Sequence, residues 1–307
     1  MIAEVNSTRR FDRRHHSRLP WWLSTVIAPF HDGSRLLSEH VSDRSGPVLL
    51  AGKCSVVGNY RDQNEDRGVA NAAAGVFLVS DGVGGQHGGA EASEIIVDVL
   101  VPWLARAARC AIADHDIIQS AVKEAIESAR HEMTEMAESN PDFRRMAATI
   151  ALAVVVDRVL YVTRVGDCRV YLLRDGRLWR LTSDQTLVQT LIDAGAITPA
   201  QARHHRWRHV VTNAVGVKPL DEPISVEAIE LAEGDRLLLC SDGLTDVVDD
   251  VSLLNVLLAY RDPQTAAETL VECALDSDSK DNVTSVVVDL ATVEKHDCAI
   301  ERLLCVA

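Results

Sequence analysis

Short apolar runs and two helical patterns dominate the central part of the chain. Residues 76–79 and 150–156 are continuous apolar runs, which are typical of strands buried on both faces. Other runs with the length and composition of strands lie at 160–165, 169–173, 178–181, 224–231, 236–240 and 283–290. The pair Asp175-Gly176 joins two of these runs and predicts a tight β-hairpin, and a second turn is expected at 233–235.

Two amphipathic helices are predicted between the first two apolar runs. In the first, apolar side chains recur at helical spacing over 95–104, and Pro102 predicts a kink. In the second, an apolar stripe predicts a helix over 116–138. Further along, Thr198 followed by Pro199 is typical of a helix N-cap and first turn. Strands on both sides of a helical pair, joined by hairpins, indicate an α+β domain with sheets packed face to face under helices.

The two ends of the chain lack this regularity. Residues 1–46 are rich in Arg, His and Ser, and we expect an extension that is disordered or loosely docked. Its apolar patch at 19–30 either packs on a surface or frays, and the sequence leaves both readings open. We expect the folded domain to span 47–292, and a tail at 293–307 either to dock on it or to remain loose.

Composition narrows the class of protein. Of 307 residues, 47% are hydrophobic, which suffices for one large domain or two small ones. No apolar run approaches the roughly 18 residues that a membrane span needs. The formal net charge of −14 disfavours nucleic acid as the main partner, because binding its phosphates needs a basic face. The seven cysteines form no Cys-x-x-Cys pair, so we expect reduced thiols without disulfides or structural zinc. We expect the protein to be cytoplasmic, and the sequence shows no clear sign of an oligomer, so a monomer is expected.

Three acidic residues share the same surroundings. Asp81 and Asp242 each follow an apolar run and precede a glycine, and Asp281 lies just before the last run. A carboxylate at the end of a buried strand is held rigidly yet reached by solvent, and several of them can converge on a hard cation. Taken alone, an Asp-Gly pair is chiefly typical of an ordinary turn, so the wider sequence around these residues has to decide.

Five short motifs provide that wider sequence. In chain order they are Arg61-Asp62-Gln63-Asn64-Glu65-Asp66, Ser80-Asp81-Gly82-Val83-Gly84-Gly85, Val165-Gly166-Asp167-Cys168-Arg169, Ser241-Asp242-Gly243-Leu244 and Lys280-Asp281-Asn282-Val283-Thr284. In this order they resemble the metal-dependent serine/threonine protein phosphatases of the 2C class, and the bacterial branch in particular. The resemblance extends from residue 53 to 290. It implies a four-layer α-β-β-α sandwich, in which two antiparallel sheets are flanked by helices.

The resemblance also implies a centre of two Mn²⁺ or Mg²⁺ ions, with a third and weaker site. Asp81 matches the carboxylate that bridges the two metals, and the backbone carbonyl of Gly82 would add a ligand. Asp242 and Asp281 match the remaining ligands of the first metal. Asp66 matches the acidic position near the second metal, where it would act partly through water.

Four further positions have supporting roles implied by the same resemblance. Arg61 matches the arginine that grips the substrate phosphate, and its forked guanidinium suits two phosphate oxygens. Asp167 would hold the third metal together with Asp242, and Glu65 would share the role of the aspartate that follows it. Asn282 is expected to fix the geometry of the loop around the preceding aspartate.

The chain departs from the family pattern at the proton donor. Relatives usually carry His directly after the two glycines, whereas here Gln86 occupies that position and His87 follows. His87 either protonates the leaving group or is a solvated loop residue, and the sequence does not decide between the two. Thr149 is retained where relatives have Gly-Thr-Thr. Cys168 replaces the usual Ser, either as a space-filling side chain or as a redox-sensitive thiol.

Residues 183–209 match the flap segment of bacterial relatives. Apolar residues at helical spacing are followed by a cluster of His, Arg and Trp at 204–209. Neighbouring residues on a helix point apart, so a metal site among these histidines is not expected. The cluster is either a basic face that meets phosphorylated protein or an inert surface.

These residues predict a protein serine/threonine phosphatase. It would hydrolyse phosphoserine and phosphothreonine by attack of a metal-bridging water, without a phosphoenzyme. Its partner would be a phosphorylated protein, either a serine/threonine kinase or the targets of one. The alternatives are a pseudophosphatase that binds partners without turnover, and a two-metal phosphoesterase that acts on a small phosphate. The first would be expected to lack a metal aspartate, and the second is disfavoured by the absence of a nucleotide-cradling glycine loop.

Overall fold

The computed structural model describes residues 48–83, 88–110 and 114–291, apart from the side chain at 110. The predicted extension at 1–46, the tail at 293–307 and the pair Gln86-His87 lie outside the described residues. No helix in these described ranges is long and apolar enough to cross a membrane.

The strands form two antiparallel sheets. In chain order the described strands are β1 (Val48–Val56), β2 (Asp66–Asn71), β3 (Val76–Val83), β4 (Ala147–Val156), β5 (Val159–Val165), β6 (Arg169–Arg174), β7 (Arg177–Arg180), β8 (Val215–Gly216), β9 (Glu227–Glu230), β10 (Arg236–Cys240) and β11 (Val283–Ala291). One sheet has the order β1-β11-β10-β6-β7, and the other has the order β2-β3-β4-β5-β9, with β8 paired to β4. The strands that carry or adjoin the acidic residues are β2 and β3 in one sheet and the interior strands β10 and β11 in the other.

Helices cover the outer face of each sheet. The described helices are α1 (Gly89–Cys110), α2 (His115–Ser139), α3 (Leu187–Asp193), α4 (Pro199–Ala202), α5 (Asp242–Thr245), α6 (Asp250–Ala259) and α7 (Pro263–Asp276), with a 3-10 turn at Pro141–Phe143. Apolar residues of α1 and α2 pack on β3 and β4, and those of α6 and α7 pack on β10 and β11. The layers are therefore helix, sheet, sheet and helix, which confirms the predicted α-β-β-α sandwich.

Strand β4 shows why its sequence is apolar without interruption. Ile150, Leu152 and Val154 pack with α1 and α2, whereas Ala151 and Ala153 point the other way into the core between the sheets. Successive side chains of a strand alternate between its faces, and both faces are buried here. The small alanines leave room for the leucines and valines of the opposite sheet.

Several predicted elements are confirmed and others differ. Asp175 and Gly176 both have positive φ, 51° and 71°, as a tight hairpin between β6 and β7 requires. Thr198 caps α4 in a reciprocal capping box, and the helix predicted over 116–138 is α2. The strand predicted over 224–231 is shorter, because only Glu227–Glu230 pairs with β5.

Candidate metal centre

Asp66 and Asp81 face each other across two neighbouring strands. Asp66 is the first residue of β2, and its Cα pairs in register with that of Asp81 in β3. Asp81 is also paired with Thr149 of β4, so it lies inside the ladder. The expectation that Asp81 stands at the end of its strand is therefore wrong by two residues, because β3 continues to Val83. The continued pairing holds the Asp81 backbone on both sides.

Asp242 and Asp281 come from the other sheet. Asp242 follows β10 and is the first residue of the short helix α5, with Ser241 at the N-cap. Asp281 lies two residues before β11, which is hydrogen-bonded to β10. The aspartates that were expected to converge on a cation therefore come from two sheets and not from one.

Ser241 joins the two sheets at this point. Its hydroxyl donates to Asp66 Oδ2 at 2.7 Å, and its Oγ accepts the backbone N–H of Thr284 at 3.0 Å. Ser241 and Asp66 are both buried. No role was expected for this serine, although the same Ser-Asp-Gly triplet occurs at Ser80-Asp81-Gly82 and at Ser241-Asp242-Gly243.

Two glycines allow the backbone to close around the acidic residues. A Cβ on Gly82 would lie 2.0 Å from the carbonyl oxygen of Gly89, where α1 begins. A Cβ on Gly243 would lie 1.9 Å from the carbonyl oxygen of Asn282. Neither glycine has positive φ in the structure, so close packing, rather than a turn, requires Gly after each aspartate.

The carboxylates lie close enough to affect one another. Burial raises the pKa of Asp66 to about 6 and that of Asp167 to about 7. Burial also raises the pKa values of Asp81 and Asp242 well above the usual range, and neighbouring negative charges raise them further. For Asp81 these charges belong to Asp66, Asp242, Asp167 and Asp281. All five predicted carboxylates are therefore gathered in one neighbourhood.

Unpaired oxygens in this cluster fit a cation. Among the described residues, Asp66 Oδ1, Asp167 Oδ1 and Asp242 Oδ1 are buried and have no hydrogen-bond partner. A buried acceptor without a partner is costly, and crowded carboxylates add repulsion. Hard divalent cations bind carboxylate oxygens, and their charge would offset both penalties. The donor set therefore fits Mn²⁺ or Mg²⁺.

Asn282 ties the loop that carries Arg61 to the start of β11. Its side-chain oxygen accepts the backbone N–H of Glu65 at 2.9 Å. Its amide nitrogen donates to the carbonyls of Val57 and Gln63 at 2.8 and 2.9 Å. This buried amide fixes the loop at three points, which places the backbone of Glu65 next to Gly82. The Glu65 side chain lies against the first residue of α1, and burial raises its pKa.

Arg61 reaches the edge of the acidic cluster. Its Nη2 lies 2.6 Å from Asp281 Oδ2, and its side chain is 47% exposed. Its Nε donates to the carbonyl of Lys280 at 3.4 Å. The guanidinium has five N–H donors, so these contacts leave others free to meet a phosphate from solvent.

The flap, residues 183–209, begins at a buried anchor. Asp184 accepts a forked pair of bonds from Arg169, with Nε at 2.9 Å and Nη2 at 2.7 Å, and a further contact from Arg180 at 2.9 Å. Gln185 and Gly166 exchange two hydrogen bonds next to Asp167. This anchor was not predictable from the sequence, because the β6-β7 hairpin separates Arg169 from Asp184 along the chain.

A cleft of about 910 Å³ separates the flap from helices α5 and α6. Its lining includes Asp167, Asp242 and Asp246 on one side and Arg203 and Arg208 of the flap on the other. The cleft is therefore acidic beside the metal centre and basic along the flap.

Comparison with known proteins agrees with this architecture. A sequence model of the family described as protein phosphatase 2C matches residues 61–276. The chain is 34% identical over 239 residues to serine/threonine protein phosphatase PstP of Mycobacterium tuberculosis, covering 76% of this chain but only 43% of the relative. It is 30% identical over 247 residues to serine/threonine phosphatase stp of Listeria monocytogenes, covering 78% of this chain and 94% of the relative.

Solved structures show the same fold. A crystal structure of the catalytic domain of PstP in complex with two manganese ions matches with a TM-score of 0.72 at 32% identity. The match covers 80% of this chain and 99% of that domain. A family match over more than half of the chain, with the same ordered motifs, leaves one assignment. The chain belongs to the protein phosphatase 2C family.

Proposed function

We propose that this chain is a metal-dependent protein serine/threonine phosphatase that hydrolyses phosphoserine and phosphothreonine. One observation carries the proposal: buried carboxylate oxygens without partners belong to the same acidic cluster as Asp281, which the guanidinium of Arg61 contacts from the solvent side. A cationic centre beside an arginine is suited to binding a phosphate dianion. The names of the relatives, which are serine/threonine phosphatases, support the same activity.

The metal ligands of the proposal are the acidic residues described above. Asp81 would serve both ions, and the Gly82 carbonyl would add a ligand. Asp242 and Asp281 would complete the first site, and Asp66 would act near the second, partly through water. Asp167 and Asp242 would hold a third, weaker ion. An all-oxygen set suits Mn²⁺ or Mg²⁺, and the manganese in the PstP structure favours the former. When bound, such ions lower the pKa of the attacking water and neutralise charge on the phosphate oxygens.

Arg61 binds and orients the phosphate. Its contacts with Asp281 and the Lys280 carbonyl hold the guanidinium plane, so a phosphate can meet a fixed pair of N–H donors. A held arginine loses less side-chain entropy when the substrate binds than a free one does. His87, which lies outside the described residues, is the candidate proton donor to the leaving hydroxyl, and the alternative is that it is a solvated loop residue.

A cysteine nucleophile does not fit this chain. Burial raises the pKa values of Cys168, far above the ordinary thiol value, and of Cys240, to about 12. Burial also raises the pKa values of Cys54 and Cys273, which lie on β1 and α7. A thiol attacks phosphorus as the thiolate, so these four described cysteines are poorly suited to form a phosphoenzyme. The proposal therefore uses water as the nucleophile.

The substrate of the proposed phosphatase is a phosphorylated protein, either a serine/threonine kinase or the targets of one. The flap supports a protein substrate because it presents an exposed cation: Arg206 lies over the ring of Trp207, 4.2 Å from the ring centroid. Such a pair offers a charge and an apolar surface to an approaching polypeptide. The small-phosphate alternative does not need this surface.

A substrate panel tests the proposed class. With Mn²⁺ present, a phosphothreonine peptide should be hydrolysed with a kcat/KM well above that of a phosphotyrosine peptide or a nucleoside monophosphate. Preference for the nucleotide would move the assignment to a small-molecule phosphoesterase. Binding of the phosphopeptide without any hydrolysis, with metal bound, would move it to a pseudophosphatase.

A further inference from the structure

Tyr60 presents an exposed aromatic ring directly beside the arginine that is proposed to bind the phosphate. It precedes Arg61 in the chain, and it is 56% exposed. Its hydroxyl donates to Oδ1 of Asp278. The ammonium of Lys280 lies over the ring, with Nζ 3.6 Å from the ring centroid. The ring is therefore held in place although more than half of the residue faces solvent.

Asp278 holds both of the side chains that surround it. Lys280 Nζ lies 2.6 Å from Asp278 Oδ2, so one carboxylate binds the tyrosine through one oxygen and the lysine through the other. Asp278 lies just beyond the C-terminus of α7 and has a left-handed backbone, with φ of 64°. Glycine is the usual residue at such a helix end. The two contacts of the carboxylate give a reason for an aspartate there.

The same loop joins this cluster to the candidate metal centre. The Lys280 carbonyl accepts a hydrogen bond from Arg61 Nε at 3.4 Å, and the next residue is Asp281. Neighbouring Cα atoms are about 3.8 Å apart, so the Tyr60 backbone lies one residue from that of the phosphate-binding arginine. An extended polypeptide advances about 3.3 Å per residue. Residues that flank a phosphorylated residue held by Arg61 therefore come within reach of the ring.

We propose that Tyr60, held by Asp278 and Lys280, is a specificity-determining residue that binds the polypeptide chain next to the phosphorylated residue. The inference rests on the proposed phosphatase activity and adds to it a subsite for the chain. A held tyrosine gives a large, rigid contact surface for little loss of conformational entropy, and such residues are frequent anchors of protein interfaces. Because the hydroxyl and one face of the ring are already engaged, the remaining face contacts apolar parts of the chain. The subsite thereby favours a phosphoprotein over a small phosphate.

The ratio of two rate constants tests the subsite. With Mn²⁺ present, kcat/KM is measured for a phosphothreonine peptide and for p-nitrophenyl phosphate, which has no polypeptide chain. In Tyr60→Ala the ratio of the peptide value to the p-nitrophenyl phosphate value should fall roughly 10-fold, as expected when an interface anchor is truncated. Tyr60→Phe keeps the ring and should retain most of the wild-type ratio. The ratio does not depend on the fraction of enzyme that is folded, so partial misfolding cannot imitate the effect.

Tyr260→Ala is the matched control. Tyr260 is 40% exposed, and its carbonyl accepts a hydrogen bond from Arg236, which pairs with Asp289 near the opposite end of β11 from the metal centre. This variant should have the wild-type ratio. An unchanged ratio in Tyr60→Ala, or an equal fall in Tyr60→Ala and Tyr260→Ala, would overturn the proposal. Failure of the phosphatase assignment is recognised separately, because the wild type itself would then not hydrolyse the phosphothreonine peptide.

Discussion

The hydroxyl of Ser241 donates to Asp66 across the interface of the two sheets, at an Oγ–Oδ2 distance of 2.7 Å. Ser241 follows β10 in one sheet, and Asp66 begins β2 in the other. The bond therefore sets the position of one sheet's carboxylates relative to those of the other. Metal ligands are oriented by such outer contacts, which makes Ser241 a positioning residue of the centre.

Replacement of Ser241 tests this role. Ser241→Ala should weaken Mn²⁺ binding by roughly 10–100-fold, as is found when a group that orients a metal ligand is lost. Isothermal titration calorimetry with Mn²⁺ measures the change in the dissociation constant. Ser80→Ala is the control, since the buried Ser80 hydroxyl donates to the Thr149 carbonyl at 3.0 Å and to no carboxylate. Equal losses of Mn²⁺ affinity in both variants would remove the special role of Ser241.

Close packing at Gly243 predicts a larger defect. In Gly243→Ala the new methyl group would meet the Asn282 carbonyl, so α5 and the start of β11 must move apart. We expect a loss of about 3 kcal/mol in the free energy of unfolding, typical of severe overpacking, together with loss of Mn²⁺ binding. Urea unfolding and metal titration measure the two effects.

Gly176→Ala is the contrasting change. Gly176 has φ of 71° but nothing within 4 Å of its added Cβ, so the cost is only left-handed strain, about 1–2 kcal/mol. Metal binding should remain normal in this variant. A Gly243→Ala protein that binds Mn²⁺ as the wild type does would contradict the packing argument.

Arg236 is predicted to stabilise the fold without serving the site. Its buried guanidinium donates to Asp289 at 2.5 and 2.7 Å and to the carbonyl of Leu257 at 2.7 Å. Arg236→Ala should therefore cost about 3–5 kcal/mol of unfolding free energy, because it leaves a carboxylate and carbonyls without partners. Arg130→Ala, which breaks an exposed pair with Glu127, should cost no more than about 1 kcal/mol.

Arg61→Lys tests recognition of the phosphate. Lysine retains the charge but loses the fork, so kcat/KM for a phosphothreonine peptide should fall roughly 10–100-fold, the equivalent of one or two charged hydrogen bonds. Arg130→Lys on α2 is the control and should have unchanged kcat/KM. An Arg61→Lys enzyme with the wild-type value would mean that the guanidinium does not hold the phosphate.

The sequence predicted those helices and strands in which buried side chains recur at a regular spacing. The run in β4 is apolar because both of its faces are buried, and the α2 stripe from Ile118 to Met133 is buried throughout. Strand β1 was not predicted, since its side chains alternate between partly buried and exposed and it contains Gly52. Gly52 is needed because α7 packs closely against it: a Cβ added at this position would lie 2.3 Å from backbone atoms of Gln264. Such an approach between distant segments leaves no local pattern.

The candidate site was predictable as a set of residues but not as an arrangement. Ordered motifs identified the aspartates, and the structure gathers them. The contacts that position them join segments far apart in sequence: Ser241 lies 175 residues from Asp66, and Asn282 lies 217 residues from Glu65. The sequence motifs are local, so they cannot predict which residues of the two sheets contact each other.

Hydrolysis of p-nitrophenyl phosphate in the presence of Mn²⁺, with and without a chelator, tests the metal-dependent mechanism most directly. The wild type should be active with Mn²⁺ and inactive after chelation. Asp242→Asn should lose more than about 100-fold in rate, because bound metal contributes several kcal/mol to catalysis. Asp175→Asn, in the β6-β7 turn, should retain full activity. Turnover that survives the chelator, or an Asp242→Asn variant as active as the wild type, would contradict the account.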